Sequence, residues 1–216
     1  MPVSPEALMN LPEQDYASIR SIVRTGDLAL CSGTSVGSRL IRWATGTPWS
    51  HVAMLFRLDE IDRVIALEAV EQIGVRIVPL SRFVIEDSSR HRPYPGQILI
   101  ARHDDWETRA TPERLHKLNR FSTDRLGAPF SRREMTRIAL RYLCHWANLP
   151  QLPRIRTKQA YICSEYVALC FAQLGIEIPC AGRDFVTPGD FARAPAVNAI
   201  ARVARSPFPN GDPFAA

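Results

Sequence analysis

Three short apolar runs separated by polar turns constrain the fold of this chain most. They span residues 51–56, 64–70 and 75–78. Runs of this length, rich in valine, isoleucine and leucine, are typical of β-strands, and short connections join antiparallel neighbours. We therefore expect an antiparallel meander, with further strands at 28–31 and 97–102. Residues 196–203 could add an edge strand or stay irregular.

Segments with apolar residues at helical spacing surround these strands. The predicted helices cover residues 15–23, 35–46, 111–125, 134–146 and 163–174. Ser35 and Thr111 suit helix N-caps, and Gly46 and Gly175 suit C-terminal caps. The pattern predicts an α+β protein in which a small antiparallel sheet packs against helices.

The length of 216 residues suits one domain. We expect that domain at 1–205, with a helical insertion around 103–160 and a C-terminal tail at 206–216. The tail is rich in proline, glycine and phenylalanine.

Charge and hydropathy patterning exclude several classes of protein. The formal charge of +5 is modest and the arginines are scattered, so no specific nucleic-acid partner is expected. No apolar run reaches the length of a transmembrane helix. The N-terminus lacks a secretory signal pattern, so a cytoplasmic location is the default, with signal-less export left open. The sequence does not indicate an oligomeric state.

The cysteines do not form a disulfide or metal framework. There are five, at irregular spacing and without a C-x-x-C pair. The sequence also has no glycine-rich phosphate loop and no metal-ligand motif, so no cofactor and no metal are expected. Most of the cysteines are expected to be buried free thiols, which leaves at least one for chemistry.

Cys163 is the candidate for that chemistry because it stands at the predicted start of a helix. The unpaired N–H groups there favour thiolate over thiol. A buried structural thiol is the alternative. Far upstream, His51 stands at the predicted start of a strand, where its imidazole could accept the thiol proton.

Glu68 is the single charged residue in the apolar run 64–70. A buried carboxylate without a partner would cost several kcal/mol. Glu68 therefore either faces solvent or pairs with His51, and we favour the pairing because a catalytic imidazole needs an orienting partner. The other histidines lie in polar or helical contexts and are expected to be structural or on the surface.

The order of several short motifs resembles a known family. In chain order they are Gly26-Asp27, Arg39-Leu40-Ile41-Arg42-Trp43-Ala44-Thr45, Pro48-Trp49-Ser50-His51-Val52, Leu67-Glu68-Ala69, Gly74-Val75 and Cys163-Ser164-Glu165. Over about residues 26–195 the chain resembles the YiiX/YebB-like cysteine hydrolases. These belong to the circularly permuted branch of the NlpC/P60 papain-like superfamily, in which the histidine precedes the cysteine.

The resemblance implies a permuted papain-like fold, with Cys163 as nucleophile, His51 as base and Glu68 as third residue. It also suggests an oxyanion hole formed by the backbone N–H of Cys163, with Tyr161 as a supporting candidate. For the substrate pocket we assign Trp49, Ser50 and Ser164. Trp43 could line an apolar acyl pocket with Trp49, but we expect it to pack in the core.

The function expected on this basis is a cysteine hydrolase that cleaves an amide or ester through an acyl-enzyme. Its partner would be a small peptide or lipid-like substrate, such as a cell-wall peptide or a lipid-linked molecule. Two alternatives stay open. One is an acyltransferase similar to the lecithin–retinol acyltransferase-like (LRAT-like) enzymes. The other is a non-catalytic binding domain on the same scaffold.

Overall fold

The computed structural model describes residues 3, 10–85, 94–131, 140–141, 161–180, 183 and 185–204. Its strands are β1 (Glu13–Gln14), β2 (Leu28–Ser32), β3 (His51–Leu58), β4 (Arg63–Val70), β5 (Gly74–Pro79), β6 (Gln97–His103) and β7 (Val197–Val203). Its helices are α1 (Tyr16–Ile22), α2 (Val36–Thr45), α3 (Leu80–Ile85), α4 (Trp106–Arg109), α5 (Pro112–Thr123), α6 (Cys163–Ala172) and α7 (Pro188–Arg193).

The strands form one seven-stranded sheet in the order β1-β7-β6-β2-β3-β4-β5. All neighbours are antiparallel except β1 and β7, which are parallel. The predicted meander is confirmed as β3-β4-β5. The sheet is larger than expected, because residues 197–203 form a strand with partners on both sides and because β1 is too short to show a sequence pattern.

Helices cover both faces of the sheet. One apolar cluster joins Val52 and Leu67 to α6, through residues such as Phe171. The other cluster contains Ala53 of β3 and Leu80 of α3, together with residues of α1. The burial of both faces explains why β2 is an unbroken apolar run rather than an alternating one. The α+β class is therefore confirmed.

The predicted termini of α2 and the predicted start of α5 agree with the capping geometry, whereas α6 ends at Ala172 with Gln173 as its C-cap rather than at the predicted Gly175. The Ser38 backbone N–H donates to the Ser35 hydroxyl at 3.1 Å, and α2 ends at Gly46 with φ of 60°. The Thr111 side chain caps α5, and Pro112 occupies its first turn. Glycine tolerates this left-handed conformation, which explains its position at the end of α2.

Some of the sequence predictions lie outside the described residues. They are most of the helix at 134–146 and the whole tail at 206–216. The division into domain, insertion and tail stays a prediction. Within the described part of the chain, no helix combines the length and the hydropathy that crossing a membrane requires.

Candidate active site

Cys163 is the first residue of α6. Ile162 occupies the N-cap position without a capping side chain, and the first backbone bond of the helix runs from Tyr166 N–H to Ile162 C=O at 2.9 Å. Tyr166 and Phe171 are buried and anchor the helix in the core. The thiol therefore lies among the N–H groups of a firmly packed helix terminus.

The pairing between strands β3 and β4 ends where α6 packs against them. Their ladder stops at the pair Met54–Leu67, although β3 extends back to His51 and β4 extends on to Val70. Helix α6 packs against both strands. Where the ladder has ended, the backbone N–H of Val52 is near enough to Cys163 to lower the pKa of its thiol.

His51, Glu68 and Arg76 form a chain of charge-assisted hydrogen bonds behind Cys163. His51 Nε2 donates to Glu68 Oε2 at 2.6 Å, and Arg76 Nε donates to Glu68 Oε1 at 2.7 Å. The Glu68 side chain is 1% exposed, and those of His51 and Arg76 are largely buried. The buried carboxylate thus has a cationic group on each oxygen.

The pairing fixes which ring nitrogen faces the thiol. Because Nε2 of His51 is bound to Glu68, the nitrogen left for its hydrogen bond with Cys163 is Nδ1. The imidazole therefore stands between the sulfur and the carboxylate. This is the order that a nucleophile, a base and an orienting acid require.

Charge favours the ionised form of the thiol. Burial alone would raise the pKa of Cys163, but the charge and hydrogen bond of His51 outweigh burial and lower it. Backbone N–H groups of Val52 and Ser164 add to the effect. The result is a thiol that loses its proton more readily than an ordinary cysteine.

The same interactions keep the imidazole protonated. Burial would lower the pKa of His51, but Cys163 and then Glu68 raise it to about 10. For Glu68, burial opposes ionisation, and the interactions with His51 and then Arg76 reverse this and lower its pKa. The shifts therefore favour a thiolate, an imidazolium and a carboxylate as the three side chains of the site.

Tyr161 is held next to the nucleophile by a neighbouring arginine. Arg125 Nε donates to the Tyr161 hydroxyl oxygen at 2.8 Å, and its guanidinium lies 3.6 Å from the centre of the Phe121 ring. The Tyr161 ring also meets Tyr166 edge to face. These contacts fix the ring two residues before Cys163, and its oxyanion role stays a prediction.

The residues assigned to the substrate pocket are buried. Trp49 is 1% exposed and belongs to the main core cluster. Ser50 accepts a hydrogen bond from the Gly33 N–H at 2.8 Å, and Ser164 donates to the Val186 carbonyl at 2.7 Å. These contacts support the strand and helix ends that carry the site, and the pocket assignment stays a prediction.

Trp43 does not pack in the core, contrary to expectation. Its side chain belongs to α2 and is 64% exposed. The helical spacing of its apolar neighbours was correct, but spacing alone does not say which face of a helix meets the protein.

Sequence reasoning missed Arg76, although a signal for it exists. The register pairs Val70 with Gly74 and therefore places Arg76 directly opposite Glu68. Counting outward from the turn between β4 and β5 would have paired the two charges. Arg125 carried no comparable signal, because it reaches Tyr161 through tertiary packing.

The site does not offer a shared coordination sphere to a metal ion. Both Glu68 oxygens already accept hydrogen bonds, one from His51 and one from Arg76. Among the residues that the structure describes, no group of three histidine, cysteine or acidic side chains could hold a metal.

Comparison with known proteins finds a likeness in structure but none in sequence. No family model matches the chain, and no curated protein does. A crystal structure of YiiX from Escherichia coli, described as a metalloprotein, aligns with a TM-score of 0.58 at 19% identity and covers 83% of this chain and 97% of YiiX. The chain therefore shares the YiiX fold, and the resemblance expected from the motif order is confirmed at that level.

Proposed function

We propose that this protein is a cysteine hydrolase that cleaves an amide or ester bond through a covalent acyl-enzyme. The observation that carries the proposal is the interaction of Cys163 with a His51 ring that is held from behind by Glu68. A helix N-terminus and a nearby imidazolium both favour the thiolate, which is the reactive form.

The first half of the reaction forms a thioester. The Cys163 sulfur attacks the substrate carbonyl carbon, and the carbonyl electron pair moves to the oxygen. Backbone N–H groups at the start of α6 are the donors nearest to that oxygen, and one such donor is typically worth about 3 kcal/mol. His51 Nδ1–H then gives its proton to the leaving nitrogen or oxygen as the bond to carbon breaks.

The second half releases the acyl group. Neutral His51 takes a proton from water, and the water oxygen attacks the thioester carbon. The carbon–sulfur bond breaks and its electron pair returns to sulfur, which restores the thiolate–imidazolium pair. Glu68 holds the ring in place through both halves, because each needs Nδ1 aimed at the reaction centre.

Arg76 keeps Glu68 in its acceptor role. An unpaired buried carboxylate would tend to take up a proton and lose its charge. The Arg76 guanidinium opposes this protonation by donating to Glu68 Oε1, the carboxylate oxygen that His51 does not bind. We assign Arg76 as a positioning residue that acts through Glu68.

The description of YiiX as a metalloprotein raises the question of a metal here. The donor set does not fit one, since His51 separates Cys163 from Glu68 and Arg76 occupies the second carboxylate oxygen. The proposed chemistry uses only this chain's own side chains and backbone. Cell-wall peptides and lipid-linked molecules are the proposed substrate classes.

The direct test is the capture of the acyl-enzyme. We expect an activated acyl ester to add one acyl group to Cys163, detected by intact-mass and peptide mass spectrometry. Cys163→Ala should abolish both the adduct and the turnover. Cys180→Ala is the matched control, because Cys180 is also a partly exposed free cysteine and should be dispensable. Unchanged turnover in Cys163→Ala would rule out the proposal.

A further inference from the structure

Helix α2 presents its apolar residues to solvent. Val36 is 82% exposed, Leu40 is 51% exposed and Trp43 is 64% exposed. Successive helical residues turn by about 100°, so these three side chains lie within about 60° of one another. We call them the α2 stripe.

The α2 stripe lies on the side of the helix opposite its buried residue. Thr45 is the buried residue of this helix, and it lies about 180° around the axis from Val36. In a surface helix of a globular protein the apolar stripe normally faces the core. Here the orientation is inverted, which exposes a tryptophan and two aliphatic side chains at a cost in free energy.

The charge around the stripe is positive. No aspartate or glutamate occurs from residue 28 to residue 58, and on α2 itself Arg39 is exposed, whereas Arg42 is turned towards Ser32. Arg39 is exposed and lies about 40° around the helix from Trp43. A helix with an exposed tryptophan and aliphatic residues on one side and an exposed arginine beside them is typical of those that lie in a membrane interface.

The ends of α2 are tied to the strands of the candidate active site. Arg42 donates to the Ser32 hydroxyl at 3.0 Å, at the end of β2. Arg193 of α7 donates to the Thr45 carbonyl at 2.7 Å, and the chain then runs through a short loop into His51. A surface that binds the stripe would therefore be held close to the site.

We propose that the α2 stripe docks this protein on an anionic phospholipid surface. The apolar side chains enter the interface, and the exposed Arg39 beside them binds a lipid phosphate and remains at headgroup level. A second copy of the chain is a poorer occupant, since symmetric contact would bring the arginines of two α2 helices together. The proposal does not depend on thiol chemistry.

Vesicle co-sedimentation of the full chain tests the proposal. The probes are vesicles of phosphatidylcholine alone and of phosphatidylcholine mixed with phosphatidylglycerol. We expect binding to the anionic vesicles, at least about tenfold weaker for Leu40→Ser/Trp43→Ser and weaker at high salt. Ile61→Ser is the matched control, because Ile61 is 62% exposed on the turn between β3 and β4 and should bind as the unmodified protein does.

The outcomes separate this proposal from the enzymatic one. Cys163→Ala should bind vesicles normally, so loss of hydrolysis with retained binding would remove only the proposed function. Equal vesicle binding by Leu40→Ser/Trp43→Ser and the unmodified protein would overturn the proposal that the α2 stripe docks on a lipid surface. So would the absence of vesicle binding together with a Trp43-dependent dimer in sedimentation velocity, or with Trp43-dependent capture of an acidic protein.

Discussion

Arg76 lies directly opposite Glu68 in the β4–β5 hairpin, and its Nε donates to Glu68 Oε1 at 2.7 Å. The other oxygen of the same carboxylate accepts from His51 at 2.6 Å. One buried carboxylate thus joins a strand-borne arginine to the imidazole that contacts the nucleophile. This arrangement leads to a set of predictions.

Removal of Arg76 should lower activity and stability, although Arg76 acts through Glu68 and not by contact with the substrate. In Arg76→Met we expect kcat to fall and the free energy of unfolding to drop by about 1–3 kcal/mol, because Glu68 loses one of its two cationic partners. Arg76→Lys should recover part of the activity by restoring charge. Arg63→Met, on the same hairpin, is the control and should change kcat little; equal losses in both variants would refute a specific role.

The reactivity of Cys163 should follow its lowered pKa. We expect alkylation of Cys163 by iodoacetamide to reach half its maximal rate below the ordinary thiol value of 9.0. His51→Ala should move this midpoint upward. Cys170 is an internal control, because burial raises its pKa to about 12 and it should stay unlabelled. An unshifted Cys163 midpoint would contradict the ion pair.

The pair should leave a flat region in the pH dependence of stability. His51 contributes stability that is fully present below 6.5 and lost as pH rises to about 10, whereas Cys163 contributes stability present above 9.0 and lost as pH falls. Below pH 9 and above 6.5, wherever the folded Cys163 is ionised, the folded and unfolded pairs bind equal numbers of protons, so these opposing slopes cancel. Between pH 9 and about 10 the stability should fall by about 1.4 kcal/mol per pH unit, and above that it should level off.

Urea unfolding at several pH values measures this profile. The comparison is with Cys163→Ala/His51→Gln, which removes both titrating groups, and it is made at alkaline pH because the loss of His51 also changes the titration of Glu68. The difference between the two curves should fall between pH 9 and about 10. A difference that does not fall in that range would contradict the raised pKa of His51.

A variant of Ser164 tests whether this residue supports the start of α6 or contacts the substrate. Its hydroxyl is buried and donates to Val186, so Ser164→Ala should lower the free energy of unfolding by about 1–2 kcal/mol. If the residue only supports the helix start, KM should stay unchanged at temperatures where the variant is folded. A raised KM with unchanged stability would instead place Ser164 in the substrate pocket.

Much of this architecture follows from local patterns in the sequence. Polar turns between apolar runs predicted the β3-β4-β5 meander, and capping residues such as Ser35 and Gly46 located the ends of α2. The isolated charge of Glu68 in an apolar strand predicted its pairing with His51, because burial without a partner would be too costly. That contact is present at 2.6 Å.

The remainder depends on tertiary packing that local patterns do not report. Strand β1 is two residues long and is defined only by its pairing with β7. The outward orientation of Trp43 reflects which face of α2 meets the sheet, and periodicity is the same for either face. The opening between β3 and β4 that admits Cys163 results from a ladder that ends early.

The protonation state of His51 tests the central claim most directly. Nitrogen NMR of histidine-labelled protein reports whether each ring nitrogen carries a proton. We expect both His51 nitrogens to be protonated at neutral pH and up to about 10, and Cys163→Ala to lower that midpoint because the thiolate is the largest cause that raises it. A neutral His51 ring at neutral pH, with a midpoint that Cys163→Ala leaves unchanged, would contradict the thiolate–imidazolium pair.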